Sequence, residues 1–202
     1  MFNFLRDIFQ PREVQVRRHA HEIRDFLKSK KAEKLPINAE ELEVLAFKTA
    51  ATKGKRKLKK FHFGEIKTIY HELIADYGFR LYEKEKRNAL LILHSNKNEY
   101  YYRLRPDRTA LYINGTGLAL IDRKWQVFNR SGRKKLAHFN FIDESHTEFC
   151  IGKEQCAMFN TGIKATDQFA RAIQFMQPVG DAQMHLFVAV LFLYLIEQQT
   201  NL

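Results

Sequence analysis

Six cations fall within eight positions of this chain, at Lys53, Lys55, Arg56, Lys57, Lys59 and Lys60, and Phe61, His62 and Phe63 follow them directly. Clusters of four to eight Lys/Arg attract an anionic lipid surface, at about 1 kcal/mol per residue near the membrane. The same cations beside aromatics also suit phosphates and stacked bases. A solvated basic loop is the plainer reading. A second set, Arg123, Lys124, Arg130, Arg133, Lys134 and Lys135, gathers near one turn if 118–139 folds as a hairpin. The candidate anion-binding residues are thus the six of 53–60, with Arg130, Arg133, Lys134 and Lys135.

No catalytic pattern is recognisable in the sequence. The chain has no Gly-x-x-x-x-Gly-Lys-Ser/Thr phosphate loop and no Gly-x-Gly-x-x-Gly opening a helix. Gly115 and Gly117 flank a Thr between strand-like runs, where a hairpin turn explains them. His71-Glu72 lacks the second His of a zinc-protease helix, since Ala75 stands there. No Ser lies in a Gly-x-Ser-x-Gly elbow. Cys150 and Cys156 are spaced by six, which fits no common zinc pattern, and they read as buried reduced thiols. No cofactor or metal is implied.

The net charge of +11 argues for an anionic partner. It is unevenly spread: residues 1–60 carry 16 Lys/Arg against 8 Asp/Glu, 61–142 carry 15 against 8, and 143–202 carry 3 against 7. The N-terminus is not a secretory signal, because it has no basic lead and Asp7 interrupts a short apolar run. Position 2 is Phe, which excludes myristoylation. The expected location is cytoplasmic, peripheral at a membrane under the lipid reading.

These side chains need elements to hold them. Residues 1–9 read as one short amphipathic turn or helix ending before Pro11. Over 12–34, Val14, Val16, His19, Ile23, Phe26 and Leu27 mark a helical stripe, ended by cations and Pro36. The stretch 39–50 reads as helix or as strand. From about 43 the period changes towards two, with 43–48 as the strand start that competes with the helix. Strand-like runs at 61–70, 78–82, 89–94, 99–104, 110–113, 118–121, 126–128, 135–141, 147–151 and 156–159 alternate with turn residues such as Pro106-Asp107, Asn114-Gly115, Ser131-Gly132 and Gly152-Lys153. Such spacing means an antiparallel sandwich or barrel.

Residues 186–196 are an unbroken apolar run of eleven. This is too short to span a bilayer as a helix, which takes about 17–25 residues, so no transmembrane segment is expected. A helix apolar all round must be buried all round; a central strand is the competing reading. The run lies in a predicted helix at 182–199, after Gly180-Asp181.

The strand-turn-strand of 125–139, from Trp125 through Asn129-Arg-Ser-Gly132 to Phe139, and the terminal helix of 184–197 resemble the tubby C-terminal-like superfamily, which includes LURP-one-related proteins and phospholipid scramblases. The resemblance covers about residues 43–197. The family often has Asp before the turn Gly, where this chain has Asn129-Arg-Ser, and its helix usually closes Asp-rich, where this one ends Glu197-Gln-Gln. It implies the architecture and no binding residue. The expected fold is therefore α+β, mostly β: an antiparallel barrel of short strands around a buried C-terminal helix. The expected units are a helical extension at 1–36 and a β-rich domain at 37–202. The expected function is non-enzymatic binding of an anionic partner, either acidic lipid headgroups or a protein. Nucleic-acid binding or ribonucleoprotein assembly through the same cations is the alternative, and an enzyme of unrecognised type stays open.

Overall fold

Period-two patterning becomes one antiparallel sheet in the computed structural model, which describes residues 13–30, 32–46, 50–53, 60–83, 87–144, 146–160 and 171–200. Its twelve strands are β1 (Ala50–Lys53), β2 (His62–Lys67), β3 (Leu73–Glu83), β4 (Asn88–Ser95), β5 (Glu99–Leu104), β6 (Arg108–Ile113), β7 (Thr116–Asp122), β8 (Gln126–Asn129), β9 (Lys135–Phe141), β10 (His146–Ile151), β11 (Glu154–Asn160) and β12 (Ile173–Phe175). Each pairs with the next in sequence. Among the described residues three helices accompany the sheet: α1 (Glu13–Ser29), α2 (Ala39–Glu43) and α3 (Asp181–Thr200).

The turns carry the chemistry the connections need. Asn114 and Gly115 both have positive φ, 49° and 79°, as a two-residue hairpin between right-twisted strands demands. Between β8 and β9, Asn129 Oδ1 accepts from the backbone N–H groups of Arg133 and Lys134, at 3.0 and 3.2 Å.

Of the ambiguous stretch 39–50, the described residues include both helix and extended chain. Asn38 caps α2 by accepting from the Glu41 N–H at 2.8 Å, which starts a helix of only five residues. Leu45 and Ala46 are then extended: Leu45 pairs with Thr68 beside β2, and Ala46 with Arg171 ahead of β12. At the N-terminus, α1 is shorter than the predicted 12–34. It stops at Ser29, and residues 32–38 are irregular up to the Asn38 cap.

α3 lies against one face of the sheet, and every strand from β2 to β12 adds a buried residue to the same cluster. Residues 186–196 are each at most 8% exposed. Burying each large apolar side chain contributes about 1.5–3 kcal/mol. Ring contacts reach α3 from many strands: Tyr100 to Phe192 at 5.7 Å, Phe139 to Tyr194 at 4.9 Å, Phe149 to Phe187 at 5.5 Å and Phe175 to Phe187 at 5.2 Å. The Tyr102 hydroxyl donates to the Ala189 carbonyl at 2.8 Å. At the helix's last turns the guanidinium of Arg87 meets Glu197 at 2.6 Å and lies 5.7 Å from the Trp125 ring centre.

α1 packs on the other face. Val16, Ala20, Ile23 and Leu27 form a second core with Phe61, Phe63, Leu90 and Ile92. Close approach depends on Gly78, where a Cβ would stand 2.8 Å from both Ile23 and Phe63. No helix among the described residues is long and apolar enough to cross a membrane. Cys150 and Cys156 are buried and free.

Candidate anion-binding site

Alternation sends Tyr101 and Arg103 of β5 to the face that α1 occupies, while Tyr100, Tyr102 and Leu104 point to α3. Register places Tyr101 opposite Tyr112 and Arg103 opposite Ala110 on β6, and Ala110 opposite Leu120 on β7. These residues floor a cavity of about 260 Å³. Its rim is Arg105 and Arg108, which frame the β5–β6 turn, and Glu13 at the first residue of α1.

Arg103 anchors the floor. It is 9% exposed, and its Nη1 donates to Asn88 Oδ1 at 2.8 Å and to the carbonyls of Ala89 and Leu104 at 3.0 and 2.6 Å. Its Nε has no hydrogen-bond partner, and no carboxylate among the described residues lies within ion-pair distance of it. Burial lowers the Arg103 pKa, yet a guanidinium stays charged in a protein. Arg105 meets Glu13 at 3.1 Å and Arg108 meets Asp107 at 3.1 Å, all four side chains more than half exposed. Burial raises the Tyr101 pKa, so its hydroxyl stays a donor.

A cationic ladder leads to this cavity under α1. Arg80 lies 5.3 Å from the Phe61 ring centre and 5.6 Å from that of Tyr82, and Arg103 lies 5.4 Å from that of Tyr82. Arg80 donates to His19 Nε2 at 2.6 Å, which leaves the His19 proton on Nδ1, donated to the Tyr82 oxygen at 3.0 Å. Burial, followed by the charges of Arg80, Arg18 and Lys60, pushes the His19 pKa down to about 4. The imidazole is therefore neutral at physiological pH.

The sequence-predicted cations divide three ways. Lys55, Arg56, Lys57 and Lys59 lie outside the described residues, and Lys53 ends β1. Lys60 is exposed and near enough to His19 to act on its charge. Arg130, Arg133, Lys134 and Lys135 are all exposed at the β8–β9 turn. Of these, Arg130 reaches the cavity's surroundings: a Cβ at Gly117 would stand 3.2 Å from its Cδ and Nε and 3.6 Å from the Tyr112 ring. Arg123 Nε donates to the Pro106 carbonyl and so ties the β7–β8 turn to the Arg105–Arg108 turn.

Arg103, Arg105 and Arg108 escaped the sequence reading because they do not form a run. The period-two spacing of Tyr101 and Arg103 was the available signal. Among the described residues, no group of three His, Cys, Asp or Glu is placed to hold a metal ion. Compared with protein-family models, curated proteins and solved structures, the chain matches none of them.

Proposed function

We propose that the chain is a non-enzymatic binding protein that engages an anionic partner, acidic lipid headgroups in the first place, through the cations of its α1 face and of the β8–β9 turn. The observation that carries this reading is the gathering of Arg103, Arg105 and Arg108 around Tyr101 and Tyr112, with Arg130 beside Gly117 on the Tyr112 side and Glu13 as the one carboxylate among the cavity's own residues. Lys60 would extend the same surface, since it lies near enough to act on the charge of His19 in α1. In the same proposal the sheet is a closed barrel around α3, of the tubby-like kind. The bridges Leu45–Thr68 and Ala46–Arg171, with the Ala172 N–H donating to the Leu45 carbonyl at 2.9 Å, support it because they link both ends of the strand order. Filling by one apolar helix supports it as well.

Pelleting with phosphatidylcholine vesicles carrying phosphatidylglycerol, beside RNA and DNA filter binding, tests the reading over a salt series. Binding should weaken steeply with salt, as counterion release dictates for nucleic acid at a log–log slope of about −0.9 per phosphate neutralised on duplex DNA. Charge reversal of Lys55, Arg56, Lys57 and Lys59, or of Arg130, Arg133, Lys134 and Lys135, to Glu should remove most vesicle binding. Strong RNA binding with weak vesicle binding would favour the nucleic-acid alternative. Unchanged binding in both reversed variants would end the reading.

A further inference from the structure

We propose that the cavity between α1 and strands β5–β7 is a site for a phosphomonoester dianion, and that Glu13 is its built-in competitor. This deepens the anion-binding reading and rests on it.

The donor set selects the ligand. Three guanidiniums and two phenols surround the cavity, and a guanidinium offers only donors, in a fork matched to phosphate oxygens. A phosphomonoester presents three terminal oxygens and close to two negative charges. A phosphodiester within a nucleic-acid strand presents two free oxygens and one charge, fewer than three arginines can use. The cavity of about 260 Å³ holds a phosphate and a small organic group and is below the size of a drug-like ligand site.

Two independent features make this more than a surface of arginines. Arg103 is nine-tenths buried and lines the cavity, its Nε is sealed from solvent without a hydrogen-bond partner, and no carboxylate among the described residues pairs with it, so an anion in the cavity would offset its charge. A buried uncompensated charge is costly, and an anion beside it recovers part of that cost. The first turn of α1, a helix of 17 residues, stands at the rim and adds the positive end of its dipole. Glu13 holds Arg105 at 3.1 Å in a half-exposed pair, and such pairs are weak enough for a dianion to displace. Asp107 holds Arg108 in the same manner from outside the cavity lining.

The full chain is titrated calorimetrically with glycerol 3-phosphate and inorganic phosphate. It is also floated with phosphatidylcholine vesicles carrying either phosphatidic acid, a lipid phosphomonoester, or phosphatidylglycerol, a phosphodiester. Saturable glycerol 3-phosphate binding, or a preference for phosphatidic acid over phosphatidylglycerol, is expected. The first result alone assigns a free ligand, and the second alone a lipid headgroup. Glu13→Gln should tighten binding about fivefold, the scale of a half-exposed ion pair. The double variant Arg105→Ala/Arg108→Ala should weaken it at least about tenfold with an unchanged urea melt, because neither side chain holds the core. Arg103 is left intact, since its Nη1 bonds staple β4 to β5. The site is overturned if neither wild type nor Glu13→Gln binds glycerol 3-phosphate or prefers phosphatidic acid, or if the double variant binds as well as wild type. Salt-sensitive vesicle binding that survives there and falls with reversal of 130–135 would show that the cavity failed while the basic surface stands.

Discussion

Replacing Glu99 with Gln removes the charge that latches α1 to the sheet while keeping the side chain's shape. Arg24 donates to both Glu99 oxygens, with Nε at 3.0 and 2.9 Å and Nη2 at 2.7 Å, and His94 Nε2 lies 3.2 Å away. Burial alone would raise the acid's pKa. The hydrogen bonds from His94 and Arg24, with their charges, outweigh burial and hold it at about 2, below an ordinary 4.5. At about 1.4 kcal/mol per unit, that difference corresponds to roughly 3 kcal/mol. The folded pKa is the lower one, so this stability is present above about pH 4.5 and is lost as pH falls towards 2. Urea melts of Glu99→Gln should show a deficit of roughly 2–3 kcal/mol near neutral pH that shrinks steadily in acid. Glu22→Gln is the control. Its pair with Arg18 spans 3.8 Å between side chains 67% and 40% exposed, so its melt should not move. A Glu99→Gln deficit equal at neutral and acid pH, or one below about 0.5 kcal/mol at neutral pH, would refute the latch.

Asp76 has the opposite sign. It is fully buried, both oxygens lack a hydrogen-bond partner, Lys34 stands at 3.5 Å, and burial raises its pKa despite Lys34, His94 and Lys30. Its contribution is therefore lost as pH rises, and Asp76→Asn should gain stability against wild type in neutral melts compared with melts near pH 4. Leu191 is 0% exposed at the middle of α3, so Leu191→Asp should give no soluble, cooperatively melting protein, whereas Leu191→Ala should melt cooperatively about 2–5 kcal/mol less stable. Deleting residues 1–36 removes Leu35 from the margin of the α3 core and uncovers Phe61, Phe63, Leu90 and Ile92. The remaining chain is expected to melt cooperatively and to aggregate more readily, and loss of the cooperative melt would place α1 in the folding unit.

Most of the strands and the core helix were legible because their signals are local. Alternation marks 99–104 and 135–141, and these match β5 and β9 to the residue. An all-round apolar run has only one comfortable environment, and 182–199 differs from α3 by a residue at each end. β12 was missed because three residues cannot display a period. The stretch 39–50 read two ways because it contains both answers, an Asn-capped turn and then extended pairing on two sides. The cavity was invisible for a different reason. Glu13 and Arg105 are 92 residues apart, and only the register of β5 on β6 with the path of α1 across the sheet unites them.

That division also bears on where the proposed anion site lies. α3 fills its face of the sheet with side chains at most 8% exposed through 186–196, and the aromatic rings of β5 and β9–β12 close on it. A ligand on that face would have to displace the core. The opposite face is built otherwise: its buried groups include Arg103, Asp76 and His19, each desolvated and each depending on neighbours to remain so. A sheet that needed only a covering helix would be served by apolar residues there, since burying charge opposes folding unless it is paired. Asp76 has Lys34 and His19 has Arg80 and Tyr82, while Arg103 has no carboxylate partner among the described residues and lines an open cavity. The unmatched charge and the available space coincide at one place on the face, which is why the anion is assigned there and not spread evenly over the basic surface.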